Sequence, residues 1–85
     1  MNTKDTILAY FEDMRYTVPA DADGMLDDCI EAIKHHNPRY FEKRDVQIQV
    51  GPLMFSSVMA IREAPTLEEE HEARRSCIRS MLKFV

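Results

Sequence analysis

Apolar side chains recur every three or four residues along most of this chain, which is the spacing of one face of an α-helix. Residues 4–15 and 21–36 each carry such a face, and residues 66–84 carry a third. The third segment opens with Thr66 and Glu69 at the spacing of a capping box, in which each side chain satisfies a free backbone amide. The pattern predicts a mainly α protein.

The middle of the chain is ambiguous. Residues 46–50 alternate strictly between apolar and polar side chains, which is typical of a strand. Gly51 and Pro52 follow, and residues 53–63 return to helical spacing, with the proline at the first turn, where a helix tolerates it. We therefore expect a small bundle of three to four helices with a short extended segment at 45–50.

An alternative fold is α+β. Residues 57–62 can also be read as a strand that pairs with 45–50, and residues 5–11 as a further strand. The order of elements would then be β-α-β-β-α, with two helices on a three-stranded sheet.

Length and composition limit the function. The chain of 85 residues makes a single domain, 1–85, and buries roughly 60–65% of its unfolded surface, which leaves little room for a deep pocket. Its first residues lead into no long apolar run, so neither a signal peptide nor a membrane span is expected. Cys29 and Cys77 lie among apolar residues at helical spacing. We expect them to be buried free thiols of a cytoplasmic protein.

Two acidic clusters are candidates for partner binding. The run from Glu68 to Glu72 begins the last predicted helix, where carboxylates also complement the positive end of the helix dipole. Asp27 and Glu31 are like charges one helical turn apart, which destabilises a helix and suggests a positively charged partner outside the chain. The predicted partner-binding residues are Asp27, Asp28, Glu31, Glu68, Glu69 and Glu72.

Patterns for catalysis or metal binding are missing from the sequence. There is no Cys-x-x-Cys pair, and no second histidine follows His71 at the spacing of a zinc protease. Cys77 and His71 would lie on different sides of one helix, and no third group orients them. Two glycines are too few for a phosphate-binding loop. We expect no enzyme activity, no metal and no cofactor.

The other charged and apolar residues indicate what kind of partner to expect. Arg75, Arg79 and Lys83 form a basic stripe, but a net charge of −4 argues against general nucleic-acid binding, which needs a basic face. Direct contact with nucleic acid is therefore not expected, nor is contact with a membrane.

Six methionines and four phenylalanines are many for so short a chain, and some of them suit a self-association surface as well as a core. A homodimer is expected.

The residues Ile7 to Phe11 and the stretch from Ser57 to Phe84 resemble the AriR/YmgB biofilm-regulator family of enterobacteria. The resemblance implies a small helical, dimeric regulator linked to biofilm, acid resistance and two-component signalling. Residues 38–51 depart from that family's pattern, and no functional residue is carried over. The alternative β-α-β-β-α order is similar to the DinI family of small acidic RecA modulators.

The sequence thus predicts a small non-enzymatic regulatory protein that acts on another protein through acidic helix faces. A nucleic-acid-binding protein is one candidate for that partner. A phage or mobile-element inhibitor that mimics nucleic-acid charge is an alternative. A DNA-binding regulator that uses the basic stripe is a third.

Overall fold

The computed structural model describes residues 2–85, and most of them lie in four α-helices. The helices are α1 (Thr3–Asp13), α2 (Asp23–His35), α3 (Arg44–Glu63) and α4 (Leu67–Phe84). Short 3₁₀ segments lie at Met14–Tyr16, Ala20–Ala22 and Pro38–Glu42. The prediction of a mainly α fold with a small helical bundle is confirmed.

Contacts between helix ends give the direction of each helix. Lys4 at the start of α1 donates from Nζ to the carbonyl oxygens of Lys34 (2.8 Å) and His36 (2.7 Å) at the end of α2, so α1 and α2 are antiparallel. The ring Nε2 of His36 donates to the backbone oxygen of Val85 at 3.0 Å, so α2 and α4 end together and are parallel. The most extensive contact between two helices is that of α3 with α4, and these two helices are antiparallel.

The core lies between α2 and α4 and is closed by α1 and the Pro38–Glu42 segment. Its fully buried side chains come from all of these elements: Phe11, Leu26, Cys29, Ile30, Ile33, Phe41, Ile78 and Met81. Each helix contributes an apolar stripe at the spacing that the sequence shows, because a short helix is stable only when such a stripe is buried. The buried face of each helix thereby fixes which residues face the solvent.

The extended segment predicted at 45–50 is wrong, because these residues form the first turns of α3. Val46 and Val50 are one helical turn apart and both buried, whereas Ile48 points to the opposite side and is 64% exposed. An alternating pattern shares its i and i+4 positions with a helix, so the two outer valines fit either structure. The α+β alternative is also wrong, since residues 5–11 and 57–62 lie in α1 and α3.

Pro52 lies well inside α3, not in the first turn of a later helix as predicted. The helix begins at Arg44 and continues through Gly51 and Pro52 to Glu63. A proline has no N–H group to donate to the carbonyl of Ile48, so one helical hydrogen bond is missing at this point. The missing bond lies on the side of α3 that faces away from the core.

The start of α4 shows one half of the predicted capping box, the contact made by the Thr66 side chain. The Thr66 hydroxyl accepts a hydrogen bond from the backbone amide of Glu69 at 3.1 Å, which satisfies one of the free amides of the first turn. No helix in residues 2–85 combines the length and the apolarity needed to cross a membrane.

Candidate protein-binding surfaces

The two predicted acidic clusters lie on α2 and on the first turns of α4. We call the six residues Asp27, Asp28, Glu31, Glu68, Glu69 and Glu72 the acidic surface; all six are exposed. Because α2 and α4 are parallel, the segment just before α2 lies beside the first half of α4. Arg75 joins the two helices there, since it binds Asp21, two residues before α2, as well as carboxylates of α4.

Arg75 is the centre of an ionic network. Its Nη2 lies 3.3 Å from the Asp21 carboxylate, and its Nη1 lies 3.4 Å from Glu68 and 3.3 Å from Glu72. Glu72 also accepts from Arg79 at 2.7 Å. Hydrogen bonding from Arg79, together with Arg75, lowers the pKa of Glu72, so this carboxylate stays ionised in mild acid.

The α2 part of the acidic surface is also paired within the chain. Asp27 accepts from Arg15, which follows α1. Glu31 lies 4.0 Å from Lys34 and 3.7 Å from the ring of His35. The repulsion expected between Asp27 and Glu31 is therefore offset by a separate cation beside each carboxylate.

Asp28 and Glu69 are the exceptions in the acidic surface. Neither side chain has a cation within 4.0 Å among residues 2–85. Asp28 lies on the exposed face of α2, and Glu69 lies in the first turn of α4. These two carboxylates are the ones that a positively charged partner can contact without displacing an ion pair.

The basic stripe is largely neutralised by the same network. Arg75 and Arg79 are both held by carboxylates, and the Arg75 side chain is only 19% exposed. Lys83 is exposed and belongs to no ion pair in the described part of the chain. A phosphate backbone would have to compete with Asp21, Glu68 and Glu72 for the two arginines, so this geometry disfavours the DNA-binding alternative.

The two cysteines are free and buried, as predicted. Burial raises the pKa of Cys29 to about 12, with a further contribution from Cys77, and burial also raises the pKa of Cys77. Both thiols are thus protonated at neutral pH, a state in which a cysteine is a poor nucleophile and a poor metal ligand. Residues 2–85 contain no group of three histidine, cysteine or acidic side chains close enough to hold a metal ion.

A groove that the sequence analysis missed runs between α1 and α3. It has a volume of about 340 Å³ and is lined by Tyr10, Met14, Val58 and Ile61, with Asp13, Thr17, Arg62 and Arg74 also in the lining. Burial raises the pKa of Tyr10 to about 12, so its hydroxyl stays protonated. The available signal was the pair Val58 and Ile61, whose spacing marks a second apolar face on α3.

Comparison with known proteins yields no relative: no family model, curated protein or solved structure matches the chain. The resemblances to the AriR/YmgB and DinI families therefore stay predictions. What defines this protein is its architecture, a four-helix bundle with exposed carboxylates on the parallel helices α2 and α4.

Proposed function

We propose that this protein is a non-enzymatic regulator that acts in the cytoplasm by binding a positively charged surface of another protein through its acidic surface. The observation that carries the proposal is that Asp28 on α2 and Glu69 on α4 are exposed carboxylates with no cation within 4.0 Å among residues 2–85. The free thiols support the cytoplasm, because disulfides are usual in oxidising compartments.

Electrostatics makes such a surface suitable for rapid and selective association. A cluster of like charge accelerates encounter with an oppositely charged partner and repels partners of the wrong sign. The intramolecular ion pairs hold the surrounding side chains in defined positions, so less side-chain freedom is lost on binding. A net charge of −4 acts in the same direction.

A second candidate function is inhibition of a nucleic-acid-binding protein by charge mimicry. It is favoured by the same arrangement, because exposed carboxylates on two neighbouring helices offer a basic groove a row of negative charges, as phosphates do. This candidate differs from the first only in the identity of the partner. Competition separates them: an oligonucleotide displaces the protein from its partner only in the case of mimicry.

The experiment is affinity capture from a bacterial lysate, with and without nuclease, using wild type and the variants Asp28→Lys and Glu69→Lys. Glu12→Lys is the matched control, because Glu12 is exposed on α1, has no ion pair in the described residues, and its substitution changes the net charge equally. We expect the same proteins to be captured by wild type and Glu12→Lys, regardless of nuclease, and to be lost with Asp28→Lys and with Glu69→Lys.

Two results would contradict the proposal. Equal loss with Asp28→Lys and Glu12→Lys would mean that overall charge governs capture, with no particular surface involved. Recovery that disappears with nuclease would point to the DNA-binding alternative.

A further inference from the structure

α3 carries three of the five large apolar side chains that are exposed among residues 2–85. Ile48, Phe55 and Val58 are 64%, 69% and 44% exposed, and all three belong to this helix. The other large exposed apolar side chains, Tyr16 and Leu67, stand on separate elements. Single exposed apolar residues are normal on a monomer, whereas several on one helix face indicate an interaction site.

Three exposed residues of α3 and the half-buried Met59 have the spacing of a helix–helix seam. Ile48, Pro52, Phe55 and Met59, which we call the α3 stripe, are separated by four, three and four residues. This alternation is the one that brings apolar side chains to the contact line of two packed helices. The opposite face of the helix, with Val46, is already buried against the core.

We propose that the α3 stripe is the interface of a homodimer in which α3 packs antiparallel against α3 of a second copy. The register that places Pro52 opposite Phe55 of the second copy also places Ile48 opposite Met59. Each apolar residue of the stripe then meets another apolar residue. Gly51, whose missing side chain has open space around it, leaves room for Val58 of the other copy on the flank of the contact.

Charge complementarity selects the antiparallel arrangement. In the same register, Asp45 near one end of the stripe lies opposite Arg62 of the second copy, so two ion pairs bracket the apolar contact. Both residues are exposed, and neither is in an ion pair within residues 2–85. A parallel arrangement would instead bring Asp45 against Asp45 and Arg62 against Arg62. Asp45 and Arg62 are about 25 Å apart along their own helix and cannot pair within one copy.

The size of the stripe predicts how stable the dimer is. A helix of this length is about 30 Å long and about 10 Å wide, which gives a footprint of roughly 300 Å². Stable complexes bury about 800 Å² on each partner. We therefore expect a dimer that dissociates on dilution, and whose formation does not depend on the acidic surface.

Sedimentation equilibrium of the full chain, from about 5 µM to about 500 µM, tests the proposal. We expect wild type to pass from monomer to dimer, and Phe55→Glu to weaken association by about tenfold or more, because it replaces a buried apolar contact with a charge in both copies. Leu67→Glu is the matched control: Leu67 is 64% exposed but lies off the stripe. A wild-type chain that is monomeric throughout, or equal weakening by the control, would overturn the proposal.

The register has its own test. Asp45→Arg and Arg62→Asp each place like charges opposite each other, so each is expected to weaken the dimer several-fold, and the double variant D45R/R62D is expected to regain association. Because the two residues cannot meet within a copy, recovery requires the antiparallel contact. A double variant that associates no better than the single ones would overturn the register. Circular dichroism of each variant verifies that the chain remains helical.

Discussion

Arg75 on α4 binds Asp21 in the turn before α2, with Nη2 3.3 Å from the carboxylate. The same guanidinium group also holds Glu68 and Glu72 of its own helix, so one side chain links the segment before α2 to the first turns of α4. Its Nε atom is buried without a hydrogen-bond acceptor among residues 2–85, so burial of this group is incompletely compensated.

Replacing Arg75 by Ala is therefore expected to lower the melting temperature by a few degrees. The substitution leaves the carboxylates of Asp21, Glu68 and Glu72 close together without their shared cation, and like charges repel. Thermal unfolding followed by circular dichroism measures the effect. Arg39→Ala is the control, since Arg39 is exposed and in no ion pair within the described chain. The difference between the two variants should shrink in high salt, which screens exposed charges; an unchanged difference would assign the effect to packing.

Two phenylalanines allow the contribution of the core to stability to be compared with that of the outer face of α3. Phe41 is fully buried, whereas Phe55 is 69% exposed. Phe41→Ala is expected to lower the free energy of unfolding by about 3–5 kcal/mol, since it removes a large buried side chain and leaves a cavity. Phe55→Ala is expected to change it by less than about 0.5 kcal/mol. Urea unfolding at low protein concentration, where the dimer is dissociated, measures both; similar losses for the two variants would contradict the assigned core.

The helical part of the fold could be predicted from the sequence, because spacing identifies each buried stripe. The faces of α1, α2 and α4 and the Thr66 cap all follow from local patterns. Residues 45–50 could not be assigned in this way. Val46 and Val50 fit a helix and a strand equally, and Gly51 and Pro52 argue for a break that α3 does not make. Packing of the two valines against the core outweighs the local cost of the proline.

The candidate site was predictable only in composition. The six acidic residues are exposed, as their positions opposite the apolar stripes require. Glu31, Glu68 and Glu72 pair with cations of their own helices. Asp27 instead pairs with Arg15 on another element, and no local pattern gives that partner. The sequence therefore overstated how much negative charge is uncompensated on α2.

Replacing Pro52 tests how much the proline inside α3 changes the stability of the fold. Pro52→Ala restores an N–H group for the Ile48 carbonyl, and alanine is about 3 kcal/mol more favourable than proline in a helix interior. Greater freedom of the unfolded chain offsets up to about 1 kcal/mol. We therefore expect the free energy of unfolding to rise by about 2 kcal/mol. Pro38→Ala is the control, because Pro38 begins a 3₁₀ segment, where no amide bond is lost, and should give little change or a small decrease. A destabilised Pro52→Ala would mean that α3 requires the proline for its shape.

Alkaline pH should destabilise the fold through its buried thiols and Tyr10. Burial, assisted by the neighbouring Cys77, raises the pKa of Cys29 from 9.0 to about 12, and burial raises that of Tyr10 from 10.0 to about 12. Below pH about 9 both the folded and the unfolded chain keep these protons, so the stabilisation is fully present. Between about pH 9 and pH 12 only the unfolded chain loses them, so stability falls as the pH rises.

At pH about 10.5 the loss from Cys29 alone should be about 2 kcal/mol relative to pH 8, measured by urea unfolding. Cys29→Ala serves as the control. It lowers the free energy of unfolding at every pH because the site is packed, but the decrease between the two pH values should be smaller than in wild type.

A thiol reagent gives an independent measurement. At pH about 8 the folded chain should leave both cysteines unmodified, and urea should expose both to reaction. Rapid modification of the folded chain would show that the bundle opens far more often than its core packing requires.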